Sequence, residues 1–159
     1  MTLVQKGTTG EASVVIAASP DVVYGVVSDV TRMGEWSPET VACEWIEGAT
    51  GPSVGARFKG TNKRGIARWS TKPKVVAAEP GREFAFQVDD DTRWTYRFEP
   101  DGSGTKLTES FEMLRDIRWY YAVAERWLMG VKDRRADLVR GMEQTLGRIK
   151  RVVEAQPSA

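Results

Sequence analysis

Residues 133 to 154 limit the folds open to this chain more than any other stretch. At helical pitch Leu138, Met142, Thr145, Ile149 and Val152 fall on one face, with Val131 and Trp127 behind them. Arg135, Asp137, Arg140, Glu143, Arg148, Lys150 and Arg151 lie off that stripe or on its edges. No proline interrupts the run, so the spacing predicts one helix of about 20 residues, ~30 Å long. Burying its apolar stripe contributes roughly 10 kcal/mol before entropy is subtracted. Such a helix needs a broad apolar partner, and the chain before it reads mostly as strand. The expectation is a sheet wrapped around a terminal helix.

Two residues on the buried side of this helix are unusual. Gly141 costs about 1 kcal/mol relative to alanine, and Thr145 carries a hydroxyl that must find a partner. In one reading Gly141 allows close helix–sheet packing and Thr145 bonds the backbone carbonyl four residues earlier. In the other, the two supply space and a polar contact for a bound molecule.

The chain of 159 residues is long enough for a core without staples. It reads as a polar, flexible start over residues 1 to 10 and a single domain over residues 11 to 155. Lys and Arg total 23 against 22 Asp and Glu, a net charge of +1. No long-range field is available to draw in nucleic acid or acidic lipid. The first residues lack a basic-then-apolar signal pattern, and no apolar run approaches membrane-spanning length. A cytoplasmic protein is expected, without membrane insertion. The lone cysteine, Cys43, rules out an internal disulfide.

Histidine is absent. That removes His-ligated metal sites and nucleophiles activated by imidazole. No glycine-rich phosphate loop opens a helix, so no metal or organic cofactor is expected. Any chemistry must use carboxylates, Tyr, Lys, Arg or water.

Along the chain, residues 11 to 18 alternate as a strand. Ser19-Pro20-Asp21 then starts a helix, with Ser19 as N-cap, Pro20 in the first turn and Asp21 complementing the dipole. Val22, Val23, Val26 and Val27 form its apolar side. A second short helix spans residues 30 to 36 and stops before Ser37-Pro38. Strands follow over residues 40–47, 56–62, 66–78, 82–88, 92–99 and 105–113. They are separated by Gly-, Pro- and Asp-rich turns, with Pro80-Gly81 suited to a type II turn. Seven strands result. An aromatic segment, residues 117 to 129, leads into the last helix and holds Trp119, Tyr120, Tyr121 and Trp127. Simple packing, a lid and a partner surface all suit it.

This order, with SVVIAASPDVVYGVVSDVTRMGEWSPE near the front and TRWTYRFEPDGSGTKLTES before the last helix, resembles the START-like, birch-pollen-allergen-like (SRPBCC) superfamily. Within it the chain is similar to polyketide cyclase/dehydrase-type proteins of actinobacterial kind, from about Ala12 to Val153. The resemblance implies an α+β helix-grip fold: a seven-stranded curved antiparallel sheet around a long C-terminal helix, with two short helices after the first strand. It also implies an apolar molecule held between sheet and helix. The superfamily spans cyclases, aromatases, carriers, receptors and activators with no shared catalytic motif, so no catalytic residue carries over.

Strand alternation nominates the residues facing such a cavity. They are Phe58, Gly60 and Asn62 on the third strand, Trp69 and Thr71 on the fourth, Phe86 on the fifth, Trp94 and Tyr96 on the sixth, and Glu109 and Phe111 on the last. Leu138, Gly141, Met142 and Thr145 complete the set from the helix. A bulge near Pro73 can shift the fourth strand. For the second strand, Val41/Cys43/Trp45 and Ala42/Glu44/Ile46 are equally open. An aromatic stripe on a sheet is also what a filled core looks like. Glu109 is more specific, because a carboxylate between inward Leu107 and Phe111 must pair with a cation, stay neutral, or face water or ligand; a slip in register would instead expose it. Arg32, Glu35 and Trp36 lie where the short helices border the cavity mouth or form ordinary surface.

Three function classes follow. The first is a binder of an apolar or aromatic, lipid- or polyketide-like molecule. The second is a cyclase, aromatase or dehydratase using Glu109 or Tyr96 as acid or base. The third is an interaction or regulatory module working through the aromatic segment. The first two require a cavity; the third predicts a filled core and an exposed apolar patch.

Overall fold

The computed structural model describes residues 5–116 and 134–156. Eight strands form one antiparallel sheet among the described residues: β1 (Thr9–Ile16), β2 (Thr40–Ile46), β3 (Arg57–Arg64), β4 (Ala67–Thr71), β5 (Lys74–Glu79), β6 (Glu83–Val88), β7 (Thr92–Asp101) and β8 (Gly104–Met113). Helix α1 (Pro20–Val27) and a 3-10 helix (Val30–Glu35) follow β1, and the 21-residue helix α2 (Arg134–Glu154) ends the fold. The sheet order is β1-β8-β7-β6-β5-β3-β2, with β4 paired to β3 off this path. This is the helix-grip arrangement.

The seven-stranded curved sheet is present with one refinement. The expected fourth strand breaks at Pro73, which has no N–H to donate. Its first half, β4, pairs with β3 from Gly60↔Thr71 to Arg64↔Ala67, while its second half, β5, turns to β6. Phe58 N–H donates to Pro73 O across the corner, and a register shift between Val75 and Ala77 adds a further bend. The first strand opens at Thr9 rather than Glu11: Thr9 pairs with Glu112, and Gly7 N–H donates to Met113 O. Thr9 and Gly10 therefore belong to the sheet and not to a flexible lead.

Both short helices follow their local chemistry. The Ser19 side chain caps α1 by accepting from Val22 N–H, with Pro20 in the first turn. Its buried side is Val23, Tyr24, Val26 and Val27, while Val22 is half exposed. The 3-10 helix lies against β2 so closely that a Cβ on Gly34 would come within 2.9 Å of Val41 O. Only glycine permits that approach.

Helix α2 covers the open edge of β1. Arg135 Nε donates to Thr9 O at 3.1 Å, Lys150 Nζ to Val15 O at 2.7 Å, and Ala17 N–H to Glu154 Oε2 at 2.8 Å. Backbone groups that would otherwise invite another strand are thereby occupied. Leu146, Ile149 and Val153 enter the main core with Ile16, Val23, Val27, Phe84 and Leu107. Leu138 and Met142 pack with Phe111 and Met113 in a second cluster. The buried stripe thus includes Leu146 and Val153 beyond the residues read from the sequence, and Val152 sits at its margin. The aromatic segment with Trp119, Tyr120, Tyr121 and Trp127, together with Val131 and Asp133, lies outside the described residues. Among the described residues, no helix is long and apolar enough to cross a membrane.

Candidate functional site

A cavity of about 1090 Å³ separates the first half of α2 from the concave face of the sheet. It is at the upper end of the size of small-molecule sites. Thirteen of the residues nominated from the sequence line it: Phe58, Gly60, Asn62, Trp69, Thr71, Phe86, Trp94, Tyr96, Glu109, Leu138, Gly141, Met142 and Thr145. Phe111 does not. Its phase on β8 is inward, but Leu138, Met142 and Val139 of α2 cover it, and a Cβ on Gly10 would meet its ring at 2.6 Å. It props Trp94 from behind, ring centres 5.8 Å apart.

The second strand presents Val41, Cys43 and Trp45 inward: Val41 and Cys43 line the cavity, and Trp45 packs edge-on against Phe58. Glu44 is exposed on the other side. Phe58 in turn meets Phe86 edge-on at 5.2 Å. Part of the aromatic stripe is therefore packed core that doubles as cavity floor. Cys43 is half-buried, and desolvation there pushes its thiol up to about 12, so it is a neutral, weakly nucleophilic wall. Gly141 faces open space, since a Cβ there would meet only Pro38 Cγ, at 3.8 Å. Trp36, 1% exposed, joins the lining, whereas Arg32 and Glu35 pair with each other outside it.

The most unusual chemistry lies on β7 and β8. Tyr96 and Glu109 are direct cross-strand partners, 5% and 4% exposed. The Tyr96 hydroxyl donates to Glu109 Oε1 at 3.0 Å, and Oε2, also buried, has no hydrogen-bond partner. The register is the inward one, so the carboxyl is not turned out to solvent. Burial pushes Glu109 up to about 8, against a smaller opposing effect of the Tyr96 hydrogen bond. Tyr96 is raised well above its ordinary value by burial, then by the adjacent carboxyl. At neutral pH the pair is mostly a neutral acid beside a neutral phenol.

Strand periodicity did not reveal a second polar group. Arg64, at the end of β3, forms a bidentate pair with Asp137 of α2, both contacts 2.5 Å, and reaches Glu39 at 3.1 Å. All three line the cavity. Hydrogen bonding to Asp137 raises the Arg64 guanidinium further above its already high value. The only hint in the sequence was an in-phase residue at the end of the Phe58, Gly60, Asn62 series. Among the described residues no group of three or more His, Cys, Asp or Glu is placed to hold a metal ion.

A curved sheet closed by one long helix over an aromatic cavity with a buried acid defines a helix-grip domain. The chain belongs to the polyketide cyclase / dehydrase and lipid transport family, whose model matches residues 8–154. It is similar to the polyketide-cyclase-like protein Cgl2372 of Corynebacterium glutamicum, with 38% identity, 94% of this chain and 93% of that one covered, and a TM-score of 0.63. TTHA0849 of Thermus thermophilus shares the fold at 17% identity and a TM-score of 0.70, covering 95% of this chain and 100% of that one. So does the Zhui aromatase/cyclase of Streptomyces sp. R1128, at 16% identity and a TM-score of 0.67, covering 92% and 93%. No curated protein matches the sequence.

Proposed function

We propose that this protein binds an apolar, aromatic or polyketide-like small molecule in the cavity between α2 and the sheet. The carrying observation is the cavity of about 1090 Å³ itself, walled by Trp69, Phe86, Trp94, Leu138 and Met142 and left open at Gly141. Family membership supports the same reading, and the cavity favours it over an interaction module with a filled core. Nile red, a neutral apolar dye, should bind in a titration, and native mass spectrometry of protein from its own host should show a co-purifying small molecule. Protein that arrives ligand-free and leaves Nile red unbound would sink the reading.

A second reading is favoured by the Tyr96–Glu109 pair itself. An acid that burial pushes up to about 8 is poised to donate a proton to a carbonyl oxygen and, once ionised, to take one from an adjacent carbon. Those are the transfers required in aldol-type cyclisation and dehydration, with the walls folding a flexible substrate into a reactive shape. Loss of turnover in Glu109→Gln with binding retained would support this enzyme reading; binding without turnover of any candidate substrate leaves the carrier reading.

A further inference from the structure

The net charge of +1 averages over an uneven distribution. Between Glu47 and Glu79 the chain has no carboxylate, and residues 57 to 74 hold seven of its 23 Lys and Arg, leaving 16 against 22 Asp and Glu elsewhere. That stretch is the β3–β4 hairpin. Gly60, Asn62, Arg64 and Trp69 are its inward residues and line the cavity. Its outward face is therefore Lys59, Thr61 and Lys63 on β3, beside Arg68 and Ser70 on β4 and Lys72 just past it. On the inner side Arg64 is neutralised by Asp137 and Glu39, and on the outer side Glu44 of β2 stands opposite Lys59. Lys63 and Arg68, by contrast, are direct cross-strand partners, both exposed, and among the described residues neither has an ion pair. Like charges so placed destabilise a sheet, so packing does not account for them. At the apex the two-residue turn Gly65-Ile66, with Gly65 at φ +57°, leaves Ile66 85% exposed, where a polar residue would serve the turn as well.

We propose that the outer face and tip of this hairpin dock the protein peripherally on an anionic membrane surface, cations against lipid phosphates and Ile66 among the headgroups. The sheet wraps α2, so this face is its convex side, which suits a broad surface better than an inserted segment. Charge complementarity calls for an anionic partner, and each cation near an anionic bilayer strengthens partitioning about fivefold. An exposed aliphatic gains only where apolar material is at hand, which a bilayer offers and a phosphate backbone does not. The same hairpin contributes Arg64, Gly65 and Trp69 to the cavity wall, so docking brings this side of the cavity to the bilayer. The inference goes beyond the ligand-binding reading and does not depend on it.

The test is co-sedimentation of the full chain with vesicles. Phosphatidylcholine vesicles with about 30% phosphatidylglycerol should bind it at about 50 mM salt and release it at about 500 mM, and pure phosphatidylcholine should not bind it. Lys63→Gln combined with Arg68→Gln should weaken anionic binding at least about tenfold, with stability equal or higher once the like-charge pair is gone. Arg97 and Lys106 face Glu83 and Glu99 in the register, and Arg97→Gln combined with Lys106→Gln should cost less than about threefold. Ile66→Ser should weaken binding severalfold and keep the salt dependence of the unsubstituted protein. No preference for anionic vesicles, equal losses in the two double variants, or an unaffected Ile66→Ser would overturn the inference. So would tighter binding of duplex DNA or polyglutamate than of the vesicles at matched anionic charge. Each of these outcomes leaves Nile red binding, and with it the ligand-binding reading, untouched.

Discussion

Arg64 on β3 and Asp137 on α2 grip each other across the cavity through two parallel hydrogen bonds of 2.5 Å, with Glu39 adding a third contact at 3.1 Å. Three elements distant in sequence are tied where the sheet stands off from the helix. Asp137 is 12% exposed and Arg64 28%, so solvent screens this pair less than the exposed Arg32–Glu35 pair.

The first prediction concerns that pair. In a double-mutant cycle of Arg64→Met and Asp137→Asn, urea unfolding should give a coupling energy of about 1–2 kcal/mol, larger than exposed pairs provide. The same cycle on Arg32 and Glu35 should give less than about 0.5 kcal/mol. Equal couplings would show that the cross-cavity pair adds no more than a surface contact.

Stability should fall with rising pH because of Glu109. Its folded value is raised to about 8 from 4.5, so between those limits the folded state holds a proton the unfolded state has lost. The slope approaches about −1.4 kcal/mol per pH unit at most, and levels off above the folded value. Below about 4.5 both states are protonated and the contribution is complete. Glu109→Gln should flatten the profile in urea melts taken from pH 5 to 9; an unchanged profile would refute the assignment.

Gly141 has room for a side chain. With Pro38 Cγ the nearest atom at 3.8 Å, Gly141→Ala should stabilise the empty protein by up to about 1 kcal/mol through helix propensity. Gly141→Leu should fold and weaken ligand binding by filling the cavity. A destabilised Gly141→Ala in thermal melts would mean that the glycine serves close packing.

Gly10 is the opposite case. A Cβ there would lie 2.6 Å from the Phe111 ring and 3.2 Å from Val139, between a buried aromatic and α2. Gly10→Ala should cost about 1–3 kcal/mol, and equilibrium unfolding at wild-type stability would contradict this packing.

Cys43 should resist alkylation in the folded protein, since burial pushes its thiol up to about 12 and only the thiolate reacts. Iodoacetamide labelling at pH 8 should be much slower in native than in urea-unfolded protein, and equal rates would show that the thiol keeps its ordinary acidity.

Much of the fold was legible because its signals are local. The Ser19-Pro20 cap, the two-residue alternation of β7 and β8, and the helical spacing of Leu138, Met142, Thr145 and Ile149 are each read within one turn or one strand. Phase alone also nominated Glu109 and Tyr96. What phase cannot supply is distance between layers. Phe111 shares its face with Glu109, yet α2 presses on the one and the cavity borders the other. Pro73 was legible as a place for a bulge, but the division of β4 from β5 depends on the two taking successive parts of β3, β4 at Gly60 to Arg64 and β5 at Arg57.

The sequence by itself determined a run of antiparallel strands, a long amphipathic helix and a carboxyl on the inward face, because side-chain period and capping act over a few residues; the curvature of the sheet was implied by the family resemblance. Only the tertiary structure decided how far sheet and helix part in their middle, that Tyr96 takes one oxygen of Glu109 and leaves the other unpartnered, and that Arg64 meets Asp137. Those outcomes depend on how strand twist, the break at Pro73 and the seating of α2 on β1 accumulate across the whole sheet. No local pattern encodes that sum.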